Sequence, residues 1–96
     1  MQFEWDKAIN ERNIRERGLD FADAPEMFES LMLVLPDTRK DYREDRYIGV
    51  GTVKSRIMVV VYTVRRPDVI RIISFRKANS REKKRFEAIA HKLEAR

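Results

Sequence analysis

From residue 46 to residue 77 the chain alternates as strands do. "RYIGVGTV", "RIMVVVYTV" and "VIRIISFRK" are three runs rich in β-branched residues. They are separated by Lys54-Ser55 and by "RRPD", where hairpin turns belong. Ahead of them "LMLVL" predicts a buried strand, closed by the polar loop "PDTRKDYRED". On either side the pattern turns helical. Asp6 can cap a helix over about residues 7–17 with Gly18 as its stop, after a short strand-like "QFEW". "LDFADAPEMFES" predicts a second, shorter helix, capped by Asp20 or Asp23, with Pro25 acceptable only in its first turn. Asn79 and Glu82 have the spacing of a capping box and open a last helix reaching about residue 95. The order predicts an α+β fold, a small antiparallel sheet with N-terminal helices and a C-terminal helix packed on it, in a single domain over residues 1–96.

Strand parity predicts which side chains share a face. With residues 65–68 as the turn, Val64 lies opposite Val69 and Tyr62 opposite Arg71. One face then carries Met58, Val60, Tyr62, Arg71, Ile73 and Phe75, with Tyr47, Gly49 and Gly51. The other carries Ile57, Val59, Val61, Thr63, Ile70, Ile72, Ser74 and Arg76, with Ile48 and Val50. The second is the more uniformly apolar and is the expected core. The first offers rings, a cation and two glycines that would let something approach the backbone. In a regular strand Arg71 and Arg76 point opposite ways and share a site only if Arg76 lies past the strand's end. On the last helix Phe86, Ile89, Ala90 and Leu93 form an apolar stripe beside a cationic face of Arg81, Arg85, Lys92 and Arg96.

Charge sharpens this picture. The net charge is +5, unevenly spread: residues 1–64 carry 10 Lys+Arg against 12 Asp+Glu, and residues 65–96 carry 11 against 4. A basic third beside a slightly acidic remainder suits a polyanion or an acidic partner as well as it suits a solvated helix. No Cys is present, so thiol and disulfide chemistry are excluded. No apolar run approaches the length of a membrane span, and "MQFEWDK" is too polar for a signal peptide, so a cytoplasmic protein is expected.

Several chemistries lack their residues. One histidine, His91, late in a basic helix, and no cysteine give no zinc set. Gly49 and Gly51 sit inside a strand and match no phosphate-binding loop. Glu44-Asp45 reads as solvated charge in a polar loop. Ser74 has no evident base and is expected to hydrogen-bond or pack. No cofactor or metal is expected.

The residues also carry a resemblance. "FEWD", Asn13, Gly18 and Phe21 at their spacing, then "VVVYT", then "RIISFRKA" followed by Glu82, resemble the BrnT toxin family of bacterial type II toxin–antitoxin systems over nearly the whole chain. The chain departs from the family pattern at Glu16-Arg17, often Lys-His, and at Tyr62, where many members carry His. Val64 replaces a frequent Glu and Phe86 a frequent Tyr. The resemblance implies a RelE-like fold and a ribonuclease that cleaves RNA and so inhibits translation and growth. It also implies an antitoxin with a ribbon-helix-helix DNA-binding domain, in a heterotetramer of two toxins and two antitoxins.

RNA cleavage asks little of an enzyme. The substrate supplies its own nucleophile, the 2′-hydroxyl, so orienting it and stabilising charge on the phosphate is enough. Arginine suits that task, being always charged and offering a planar fork of donors. Arg65, Arg71 and Arg76 are therefore the expected catalytic residues, with Tyr62 for stacking or proton handling. Arg46, Ser74, Lys77, Arg81 and Arg85 are expected to bind RNA. The alternative is a module that binds nucleic acid or a partner protein without catalysis.

Overall fold

In the computed structural model, residues 1–94 are described. They run β1 (Gln2–Trp5), α1 (Lys7–Arg17), a 3-10 helix (Phe21–Glu29), β2 (Leu33–Pro36), β3 (Tyr47–Val53), β4 (Arg56–Arg66), β5 (Val69–Lys77) and α2 (Ser80–Glu94). The five strands form one sheet in the order β1-β5-β4-β3-β2. Three neighbouring pairs are antiparallel, and β1 lies parallel to β5, so the sheet is mixed.

The local signals explain the helix ends. Asp6 accepts a hydrogen bond from the Ile9 amide at 3.0 Å and opens α1. Gly18 closes α1 in the left-handed region at φ 68°, its N–H reaching the Ile14 carbonyl. Helix α1 has no apolar stripe and docks through amides instead. Asn10 is buried, accepting from the Phe21 amide and donating to Asp20, while Asn13 donates to the carbonyls of Leu19 and Phe75. The second predicted helix is present but wound as a 3-10 helix containing Pro25, with Asp20 as its cap. At the start of α2 the capping box forms in both directions: Glu82 N–H donates to Asn79 Oδ1 and Asn79 N–H donates to Glu82 Oε1. Lys54 and Ser55 make the β3–β4 turn with φ of 49° and 69°, the positive values that a two-residue hairpin needs.

Two expectations are corrected. "LMLVL" does not give a buried strand: β2 covers Leu33–Pro36 at the sheet's edge, and Leu35 is 58% exposed. The core face is also reversed. Met58, Val60 and Tyr62 of β4 pack with Val53, Ile72 and Phe75 against Phe21, Ala24 and Met27 of the 3-10 helix. The glycines serve this packing, since a Cβ on Gly49 would stand 2.7 Å from Met32 Sδ and one on Gly51 3.3 Å from the Leu31 carbonyl. What approaches the backbone there is the chain itself. The apolar content of the opposite face is also partly explained: Val59 and Val61 are buried there, on the side where α2 docks by Phe86.

Simple parity fails because β5 is irregular. Val61 pairs with Ser74, but Tyr62 pairs with Ile72, leaving Ile73 as a bulge. From the bulge back to the turn, β5 changes face, so Ile70 and Ile72 join the core while Arg71 moves to the opposite side. A second irregularity leaves Arg65 unpaired between Val64 and Arg66, and the turn itself shortens to Pro67 and Asp68.

Candidate active site

The bulge at Ile73 is what assembles a cationic surface. With it, Arg71, Ser74 and Arg76 all face away from the 3-10 helix, on the side of Thr63, Val61 and Val59. Arg76 therefore reaches this face inside the strand, without lying past its end. The polar loop after β2 folds over the same face. The Thr63 hydroxyl donates to the Asp45 carbonyl at 2.7 Å, and the Asp37 amide donates to the Arg46 carbonyl at 2.7 Å. Asp37, its carboxylate wholly buried, takes a two-pronged contact from Arg39 at 2.8 Å on each arm. Those hydrogen bonds outweigh burial and hold the Asp37 pKa at about 2.

Anchored in this way, the loop delivers Glu44 between two arginines. Glu44 Oε2 accepts from Arg46 Nε at 3.0 Å, and Oε1 lies 3.1 Å from Arg65 Nη1. Arg46 is further held by stacking, its guanidinium carbon 4.1 Å from the centre of the Tyr42 ring. A cavity of about 250 Å3 opens beside them, lined by Arg46, Arg65, Arg71, Glu44 and Asp6. Arg71 enters it braced by Glu4 of β1, with Nη1 2.7 Å from Oε2. Each of these three arginines spends one nitrogen on a carboxylate. No other side-chain hydrogen bond to them occurs among the described residues, so most of each fork is free for an anion.

Arg76 is placed differently. Both of its terminal nitrogens are taken by Glu82, at 2.8 and 2.9 Å, and Nη1 also donates to the Lys77 carbonyl. The same Glu82 oxygen that receives Nη1 closes the capping box, so Arg76 ties β5 to the first turn of α2. The pairing raises the Arg76 pKa and lowers that of Glu82.

The remaining expected residues divide. Ser74 lies on the cationic face, half-buried opposite Val61. Lys77 pairs with Met58, opposite in parity to Arg76, and borders a separate cleft with Arg56 and Lys83. Arg81 and Arg85 border a groove on the β2 side of α2 and do not line the arginine cavity. Arg96 falls outside the described residues. Tyr62 lies apart from these residues: it is 8% exposed, in the core on the far side of the sheet. Its ring meets Phe28 edge-on at 5.0 Å and Tyr47 at 5.5 Å. Burial, and next the neighbouring Tyr47, raise its pKa. The sequence reads Glu44 as solvated charge, whereas the structure sets it between two arginines. Its nearness to Arg46 is local, but its contact with Arg65 depends on the loop closing onto Thr63, which leaves no mark in the sequence.

Comparison with known proteins places the chain in a family. Residues 5–82 match the family model described as the ribonuclease toxin, BrnT, of type II toxin–antitoxin systems. The 1.1 Å crystal structure of the Brucella abortus ribonuclease toxin BrnT is similar at a TM-score of 0.69 and 30% identity, covering 83% of this chain and 99% of that one. A search of curated proteins finds no match. The chain belongs to the BrnT family and is a ribonuclease toxin of a type II toxin–antitoxin system.

Proposed function

We propose that RNA is cleaved in the cavity of Arg46, Arg65 and Arg71, and that Glu44 is the positioning residue that makes them one site. The observation that carries this reading is the bridge itself: one carboxylate holding Arg46 at 3.0 Å and Arg65 at 3.1 Å on a cavity shared with Arg71. The 2′-hydroxyl of a bound ribose attacks the adjacent phosphorus in line, the bond to the 5′-oxygen breaks, and a 2′,3′-cyclic phosphate and a 5′-hydroxyl remain. Three guanidinium groups suit the charge that builds on the non-bridging oxygens. Arg76 supports the site by tying β5 to α2. Because the substrate brings its nucleophile and the arginines meet the developing charge, the reaction should run in EDTA.

The setting follows from the class of system. A protein antitoxin neutralises the chain. We expect that antitoxin to carry a ribbon-helix-helix DNA-binding domain, to form a heterotetramer of two toxins and two antitoxins, and to act with the toxin in the cytoplasm. Free toxin would cut mRNA, inhibit translation and arrest growth. No helix among the described residues is long and apolar enough to cross a membrane.

A double-mutant cycle tests the bridge. Glu44→Ala and Arg65→Ala should each slow single-turnover RNA cleavage, and the double variant should be little worse than the slower single one, because the two act as a unit. Additive losses would show that Glu44 does not act through Arg65.

A further inference from the structure

The apolar stripe of α2 is only partly used. Phe86 is buried, but Ile89 is 36% exposed and Leu93 47%. Facing Ile89 is the edge of the sheet. Leu33 pairs with Val50 and Leu35 with Ile48, so all four side chains come up on the face that α2 partly covers. Together with Ile89 they form a groove of about 410 Å3, walled along α2 by Arg81 and Arg85. Strand β2 has one neighbour, β3, so its outer backbone groups are also unpaired by the sheet. Natural edges are usually blunted by charge or covered. This one shows Val34 and Leu35 to solvent, with Pro36 only at its end.

We infer that this groove is the docking site for the antitoxin, which fills it with an apolar segment flanked by acidic residues. The inference rests on the reading of the chain as a type II toxin. Three observations choose the occupant. An apolar floor offers nothing to RNA, and the groove is separate from the arginine cavity. Arg81 and Arg85 at the wall select acidic flanks. A second copy of this chain, net charge +5, would set the same cationic wall against itself. Glu82 also borders the groove, and Glu82 is the residue that holds Arg76. An occupant would thus touch the residue that ties β5 to α2.

The test pairs Leu35→Asp/Ile89→Asp with the wild type, each co-expressed with a tagged antitoxin from the adjoining reading frame. Wild type should co-purify. The variant should bind roughly 30-fold or more weakly, should still cleave RNA at the wild-type rate, and should arrest growth that the antitoxin no longer rescues. A variant that co-purifies and is rescued as well as wild type overturns the proposal. Should the variant not fold, hydrogen exchange on the wild-type complex decides. Protection gained over residues 33–35 and 81–89 supports the groove, and protection confined elsewhere overturns it. A wild-type chain that binds no antitoxin overturns both the groove and the partnership, whereas a bound chain that cleaves no RNA fails only the ribonuclease reading.

Discussion

Arg71 and Arg76 lie five residues apart in β5 and yet share a face of the sheet, because Ile73 bulges between them. An odd separation in a regular strand would have put them on opposite sides. The shared face does not give them a shared role. Arg71 spends one nitrogen on Glu4, whereas Arg76 gives both terminal nitrogens to Glu82.

The first prediction follows from that contrast. Glu82→Ala removes the reciprocal half of the capping box and the partner of Arg76 together, while Asn79 Oδ1 still accepts from the amide of residue 82. It should cost about 1 kcal/mol of stability. Arg76→Lys should lose part of that stability while keeping RNA cleavage within a few-fold of wild type. Chemical denaturation and single-turnover cleavage of both variants measure this. An inactive Arg76→Lys protein of wild-type stability would instead place Arg76 on the substrate.

Tyr62 provides the second. As a core residue against Phe28 and Tyr47 it contributes its ring. Tyr62→Phe should cleave RNA at close to the wild-type rate, and Tyr62→Ala should be destabilised by about 3–5 kcal/mol through the cavity left behind. A large rate loss in a stable Tyr62→Phe protein would mean that the hydroxyl takes part in the chemistry.

The third concerns acid. Asp37 has a pKa of about 2 in the fold, held down chiefly by Arg39. A carboxyl whose folded pKa lies below its unfolded value stabilises the protein above the unfolded pKa, and that contribution drains away as pH falls toward the folded one. The melting temperature should therefore drop between about pH 4 and pH 2. Asp37→Asn should flatten that part of the profile at a cost of about 1–2 kcal/mol at neutral pH, allowing for the exposed Arg39. Parallel profiles for the two proteins would assign the acid sensitivity to other carboxylates.

Legibility in the sequence tracks the range of the interactions. Caps at Asp6, Gly18, Asp20, Asn79 and Glu82, and the Lys54-Ser55 turn, are settled within a few residues and are readable. The core face is not, because the bulge at Ile73 answers to what packs on β5 and the 3-10 helix supplies a cover that apolar counting cannot see. Uniform hydrophobicity marks the wrong face, since it too is partly covered, by α2. The arginines stand out by type, interrupting apolar strands. Which of them are tied and which keep a free fork depends on Glu4, Glu44 and Glu82, two of them remote from their partners in sequence.

The most direct measurement is single-turnover cleavage of RNA by purified, antitoxin-free Arg71→Lys, with thermal melting in parallel. The substitution keeps the charge and removes the planar fork. If Arg71 binds the phosphate as it changes, the rate should fall on the order of 10²–10³-fold with the melting temperature little changed, and extra salt should not reproduce the loss in wild type. An Arg71→Lys protein that cuts RNA at the full rate would contradict the account.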